Sequence, residues 1–277
     1  MFTRMLKYEW KRSAPLFGGL TLGALGLGIV GIIVLRILVG AGDSLFNSEG
    51  DDVLTVVLMG SMGSMLMILY MALLAYAAGI YLVGLYRFYK SRYSDEGYLT
   101  FTLPVSVHDI FLSSLVNLSI WVAISGVTVF LALAIALIFG PVESGWVNTE
   151  LLENFDVIFA TYADAFDLIG VNAVSIIICI PVLLVSNIAI AMSCITVGAV
   201  IAKKLKILVA IGLNYAVSVV TGILMSIGQV IFLIGQMSQD TVQLDGSVWV
   251  TMIVYGGLAV GGYFLSTHLM RRKLNLP

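Results

Sequence analysis

Side chains able to do acid–base or metal chemistry are scarce in this 277-residue chain, and poorly placed for it. The two histidines, His108 and His268, stand at the edges of apolar runs and far apart in sequence, which argues against a metal site or a proton relay. Cys179 and Cys194 share one apolar run. Fifteen positions of helix separate them by about 22 Å, too far to bridge, so they read as small apolar fillers. The chain contains neither a GxxxxGK[ST] phosphate loop nor an HExxH pair. It therefore cannot hydrolyse ATP by itself, and no catalytic residue, metal ligand or cofactor of its own is expected. Arg36, in GIIVLRILVG, is the only charge inside an apolar run. It either snorkels to a nearby interface or lines an outward cavity opposite an acid of an outer loop. No Asp or Glu lies inside any run, which disfavours carriage driven by protons or sodium. Mixed chemistry is concentrated in one place, SRYSDEGYLTFTLPVSVHD over 91–109, with three acids, an arginine, a histidine and a proline between two long apolar runs.

The elements that must hold this stretch follow from composition. Hydrophobic residues make up 60% and charged residues 11%, with a mean hydropathy of +1.06. A soluble domain has roughly 45–50% apolar and about 25% charged residues. Six apolar runs, about 15–40, 53–86, 112–140, 171–202, 207–237 and 248–270, are each long enough to span a hydrocarbon core of about 30 Å. The first is too long for a secretory signal, and five more follow it. Open strands in lipid would leave backbone groups unsatisfied, so the fold class is an all-α integral membrane protein with six transmembrane helices. The second run would be about 50 Å long as one helix, and so should protrude or tilt. No polar stretch is long enough to fold alone, which leaves one transmembrane domain over 1–277.

The net charge of −2 hides an asymmetry. Outside the runs, lysine and arginine occur only before residue 13, at 87–92, at 203–206 and at 271–273. The intervening loops carry acids instead, among them Asp51, Asp52, Glu143, Glu150, Asp164 and Asp240. Positive charge stays inside, so both termini and the segment 91–109 are expected in the cytoplasm. Residues 1–14, MFTRMLKYEWKRSA, set Phe2, Met5, Leu6 and Trp10 apart from the cations and read as an amphipathic interfacial helix. Residues 142–170 mix Leu151, Phe155, Phe159 and Tyr162 with spaced acids, and should form short extracellular helices, a simple cap or a gate.

Several features inside the runs have two readings. Gly19 with Gly23, and Gly257 with Gly261, are GxxxG pairs that let backbones approach. Met59, Met62 and Met65, with Met67 and Met71, are gap-filling core or a plastic lining for a greasy substrate. With Arg36, the first three are the candidate substrate path. Pro181, followed by Ser186 and Asn187, marks a kink in the fourth span. In the 91–109 stretch, Asp95, Glu96 and Gly97 break the preceding helix. GYLTFTLP is then apolar enough to bury against something, Pro104 ends it, and Ser106 with Asp109 offers a cap for the next helix. An ordinary folded loop is the other reading.

YSDEGYLTFTLPVS resembles a segment of the membrane subunits of ABC-2 type transporters, where an EGYL or RGYL turn precedes T-x-x-LPVS. Six spans, cytoplasmic termini, an amphipathic helix at the start and the absent phosphate loop are also similar to that family. The resemblance implies a permease subunit of an ATP-driven exporter in the bacterial plasma membrane. It implies a separate ATP-binding cassette subunit holding ATP and magnesium, and a second copy of this chain or a homologous permease. Asp95, Glu96, Gly97, Tyr98, Leu99, Thr100, Phe101, Leu103 and Pro104 would be the coupling helix that docks on the ATPase. Similar half-size members, phenol-soluble modulin exporters and bacteriocin exporters among them, suggest an amphipathic peptide or hydrophobic drug as cargo. Membrane lipids are further partners, and nucleic acid is not expected. The alternatives are an ion-coupled carrier or channel, or a non-transporting immunity or sensor protein.

Overall fold

The structure is a computed structural model describing residues 2–46, 52–94, 97, 105–138, 160, 173–202, 205–236 and 245–272. All regular structure among them is helical, in six long helices. These are α1 (Phe2–Phe46), α2 (Asp52–Tyr93), α3 (Val107–Ile138), α4 (Ala173–Ile201), α5 (Lys206–Gln236) and α6 (Asp245–Arg272). Each contains a stretch long and apolar enough to cross a membrane, from Phe2–Ile33 in α1 to Asp245–Arg271 in α6. The six-span expectation therefore holds as a multi-pass helical architecture. No break separates an interfacial helix over 1–14 from a first span: α1 runs unbroken through Pro15. The helix tolerates the missing amide hydrogen there instead of ending. The expected outer helices over 142–170 lie outside the described residues except for position 160, which is helical.

The chain divides into two compact units. One holds residues 1–10, 83–120 and 159–277, and the other 11–82 and 121–158. In the second unit, Ala24, Leu73 and Ala132 form a small core with Leu69, Tyr76 and Val129 packed around it. Small residues bring the helices close: a Cβ on Gly31 would come within 2.9 Å of Leu69, and one on Gly28 within 3.4 Å of Ala132. Tyr76 donates to Thr21 (2.9 Å), which donates to the Phe17 carbonyl (2.7 Å), so the phenol enters the apolar layer already satisfied. Trp121 stacks obliquely on Phe17, with ring centroids 5.5 Å apart, and donates to Ser13 (3.1 Å).

In the first unit α4 packs most extensively on α6, and α5 packs on both. Two glycines set these spacings. A Cβ on Gly198 would sit 2.8 Å from the backbone nitrogen of Ala210, and one on Gly262 would sit 2.7 Å from the Ser193 hydroxyl. At Gly19, Gly23, Gly257 and Gly261, by contrast, an added Cβ would meet open space. The GxxxG pairs read from the sequence are thus not where described helices of this chain meet.

The radial pattern differs from that of a soluble protein: beside an apolar interior, small hydroxyl side chains are buried and large apolar ones are exposed. Ser113, Ser125, Thr128, Ser193, Thr196 and Thr221 are buried, whereas Leu22, Met67, Phe130, Leu208, Ile231 and Ile253 are exposed. These six hydroxyls donate to carbonyls three or four residues earlier on their own helices, as in Ser193 to Ala189 (2.7 Å) and Thr128 to Ile124 (2.8 Å), whereas the buried Ser119 and Ser266 hydroxyls have no partner among the described residues. A small side chain that satisfies itself this way can be buried at a close helix contact without needing water.

Candidate functional site at the α2–α3 connection

Both flanks of the 95–104 stretch are held by polar contacts within the first unit, buried or part-buried on the α2 side and part-buried or exposed on the α3 side. On the α2 side, Arg92 is 3% exposed and its Nη2 pairs with Glu9 Oε1 at 2.5 Å. The same nitrogen donates to Ser114 Oγ (3.1 Å), and Ser114 donates to Glu9 Oε1 (3.0 Å) or to the Ile110 carbonyl (3.2 Å). One carboxylate, one guanidinium and one hydroxyl thereby join the start of α1, the end of α2 and the start of α3. Burying a guanidinium is costly unless its charge is paired, and here it is.

Tyr93, the last residue of α2, is bound at both ends. Its hydroxyl lies 2.7 Å from Thr196 Oγ1 of α4. Thr196 uses its own proton on the Met192 carbonyl (3.0 Å), so the phenol is the donor. The Tyr93 carbonyl accepts from Lys206 Nζ at the start of α5 (3.4 Å). Just beyond, Ser94 donates back to the Lys90 carbonyl, and the buried Gly97 donates its amide to Ser94 (2.8 Å). The helix ends here because its last carbonyls are taken by local side-chain and turn hydrogen bonds.

On the α3 side, Ser106 is the expected cap: its Oγ accepts from the Asp109 amide (3.1 Å) and its carbonyl from the Ile110 amide (3.1 Å). The carboxylate of Asp109 in the first turn also complements the helix dipole. His108 Nδ1 lies 2.7 Å from the Tyr263 hydroxyl of α6. An aromatic chain connects the two flanks, with Phe88 edge-on to Tyr93 (5.9 Å) and to Phe111 (6.0 Å), and Phe111 edge-on to Tyr263 (5.5 Å).

Alongside Tyr263 runs an open groove of about 510 Å³ between α3, α4 and α6, lined by Leu112, Leu115, Pro181, Val185, Ala189 and Val260. Small residues Ser186, Gly256 and Ala259 make the room for it. Pro181 lies inside α4 and faces this space, and Asn187 hydrogen-bonds the Leu183 carbonyl (3.1 Å).

Of the expected coupling residues, only Gly97 is described. Asp95, Glu96, Tyr98, Leu99, Thr100, Phe101, Leu103 and Pro104 lie outside the described residues. Of the expected path residues, Met65 is half-buried in α2, while the side chains of Arg36, Met59 and Met62 lie outside those described. Sequence reasoning missed Glu9, Ser114, Thr196 and Tyr263, and used Arg92 only as a topology marker. One signal was present: Glu9 is the single acid among the first fourteen residues. Searches of family models, curated proteins and solved structures find no match to this chain.

Proposed function

We propose that the chain is the membrane-spanning subunit of an ATP-driven exporter of the ABC-2 type, working as a pair of copies with a separate ATP-binding cassette subunit. Residues 95–104 are its coupling element, and an amphipathic peptide or hydrophobic drug is the cargo. The observation that carries this reading is that both flanks of 95–104 are tied into several helices at once. Arg92 and Tyr93 bind α1, α3, α4 and α5 on one side, and His108 binds α6 on the other. A segment that receives a push must be stiffly connected to the helices it moves, and a surface loop would not require five such attachments. The lysine and arginine distribution supports a cytoplasmic location for this end and both termini, with the N-terminal turns at the interface; a bacterial plasma membrane is part of the same reading.

Copurification tests this directly. The tagged full-length chain should bring down an ATP-binding partner whose hydrolysis responds to cargo. Leu99→Asp should leave membrane insertion intact, because no span is touched, while weakening the complex or uncoupling hydrolysis from export. Burial of one such leucine is worth about 1.5–3 kcal/mol, so about tenfold or more in complex affinity is at stake. A chain that transports alone, or a Leu99→Asp variant with full assembly and coupling, would remove the proposal.

A further inference from the structure

In the first turns of α1, Phe2, Met5, Leu6 and Glu9 fall on one side and are half-buried. Arg4, Lys7 and Tyr8 fall on the other and are exposed, Tyr8 by 74%. Glu9 is the only acid among the first fourteen residues, against the four cations Arg4, Lys7, Lys11 and Arg12. It is turned inward, where Arg92 and Ser114 occupy its carboxylate. The outward side therefore shows positive charge with no acid of its own to balance it. Among the described residues no ion pair holds Arg4 or Lys7.

We propose that Arg4, Lys7 and Tyr8 form a recognition face for anionic phospholipid headgroups. Charge complementarity selects that occupant. α1 is long and apolar enough to cross a membrane, and four of its five cations precede Ser13, so these turns stand where the apolar run gives way to the headgroup layer. A guanidinium offers paired donors to a phosphodiester, and an ammonium adds a point charge. An exposed tyrosine beside them has an apolar ring and a polar tip suited to the same layer. The inward Glu9–Arg92 pair makes the face selective, since it removes the one group that would repel a phosphate. Lipid held on the outward side also fixes the turn whose inward side holds Arg92. The inference stands whether or not the chain is an exporter.

The test uses the purified full-length chain alone, reconstituted in nanodiscs of phosphatidylcholine with phosphatidylglycerol. The ratio of the two lipids retained per protein after detergent extraction is measured by mass spectrometry. The wild type should retain phosphatidylglycerol preferentially. Arg4→Gln with Lys7→Gln should lower that preference by up to about fivefold per cation removed. Arg4→Lys with Lys7→Arg should keep it, and raised salt should weaken it in the wild type. Lys90→Gln, an exposed cation outside α1, serves as the control and should change it little. Equal retention of both lipids by the wild type overturns the proposal, as does a preference that survives the double substitution. An unchanged lipid ratio with loss of binding to an ATP-binding subunit would assign the face to a protein instead, and would also overturn it.

Discussion

Cutting the Glu9–Arg92 pair from either side should give unequal effects, because the two partners are buried unequally. Arg92 is 3% exposed and Glu9 26%. Glu9→Gln leaves a guanidinium inside the protein with a neutral amide oxygen and the Ser114 hydroxyl. Orphaning a buried charge costs about 3–5 kcal/mol. The partial exposure of Glu9 and the acceptor that glutamine retains reduce this to about 2 kcal/mol. Arg92→Met removes the deeply buried charge and leaves a carboxylate that still reaches water and Ser114, so about 1 kcal/mol is expected. The double variant has no charge left to orphan and should resemble Arg92→Met. The coupling energy is then about 2 kcal/mol, well beyond the roughly 0.5 kcal/mol within which independent sites add. Reversible unfolding of the purified protein in mixed micelles, followed by far-ultraviolet circular dichroism, measures all four species. Additive single effects, or Arg92→Met costing more than Glu9→Gln, would refute the reasoning.

Two further outcomes follow from the helix contacts and the charge distribution. Gly198→Ala should destabilise by about 1–3 kcal/mol, because its Cβ would lie 2.8 Å from the Ala210 backbone nitrogen, which cannot swing away as a side chain can. Gly257→Ala, facing open space, should stay within about 0.5 kcal/mol of wild type, and melting midpoints of the two compared side by side decide the point. Cysteines placed at Ser48 and Ser94 should be labelled by an impermeant reagent from outside in the first case only. Labelling of the second and not the first would invert the topology.

The spans were legible because crossing a membrane requires a local, countable property. The helices exceed the counts at their ends for a physical reason. Apolar counting stops α2 near 86 at Arg87, whereas its helix continues to Tyr93. Backbone hydrogen bonds do not depend on side-chain polarity, and they run until Ser94 and Gly97 turn the chain. Likewise α3 begins at Val107, ahead of the apolar run at 112, since Ser106 caps it. That cap is a contact over three residues and could be read from the sequence. The Glu9–Arg92 and His108–Tyr263 pairs join positions 83 and 155 residues apart. No periodicity or spacing encodes such partners, so the framework of the candidate site was invisible until the helices were assembled. The GxxxG motifs mark where an approach is allowed; within the described part of this chain packing uses other glycines, Gly198 and Gly262 among them, which leaves those motifs open to contacts between copies.

The exposed apolar surface and the close helix contacts have a consequence for how this chain can change over generations. Exposed positions such as Leu208, Ile231 and Ile253 need only be apolar, so Leu, Ile, Val and Phe can interchange there with little effect. Positions such as Ser193, beside Gly262, admit only small residues, and a hydroxyl there is tolerated because it satisfies itself on its own helix. Divergence is therefore expected to accumulate at the exposed apolar positions, with the close helix contacts held to small residues. A distant relative of this chain should be recognisable by the register of its small residues at close helix contacts more than by the greasy residues between them.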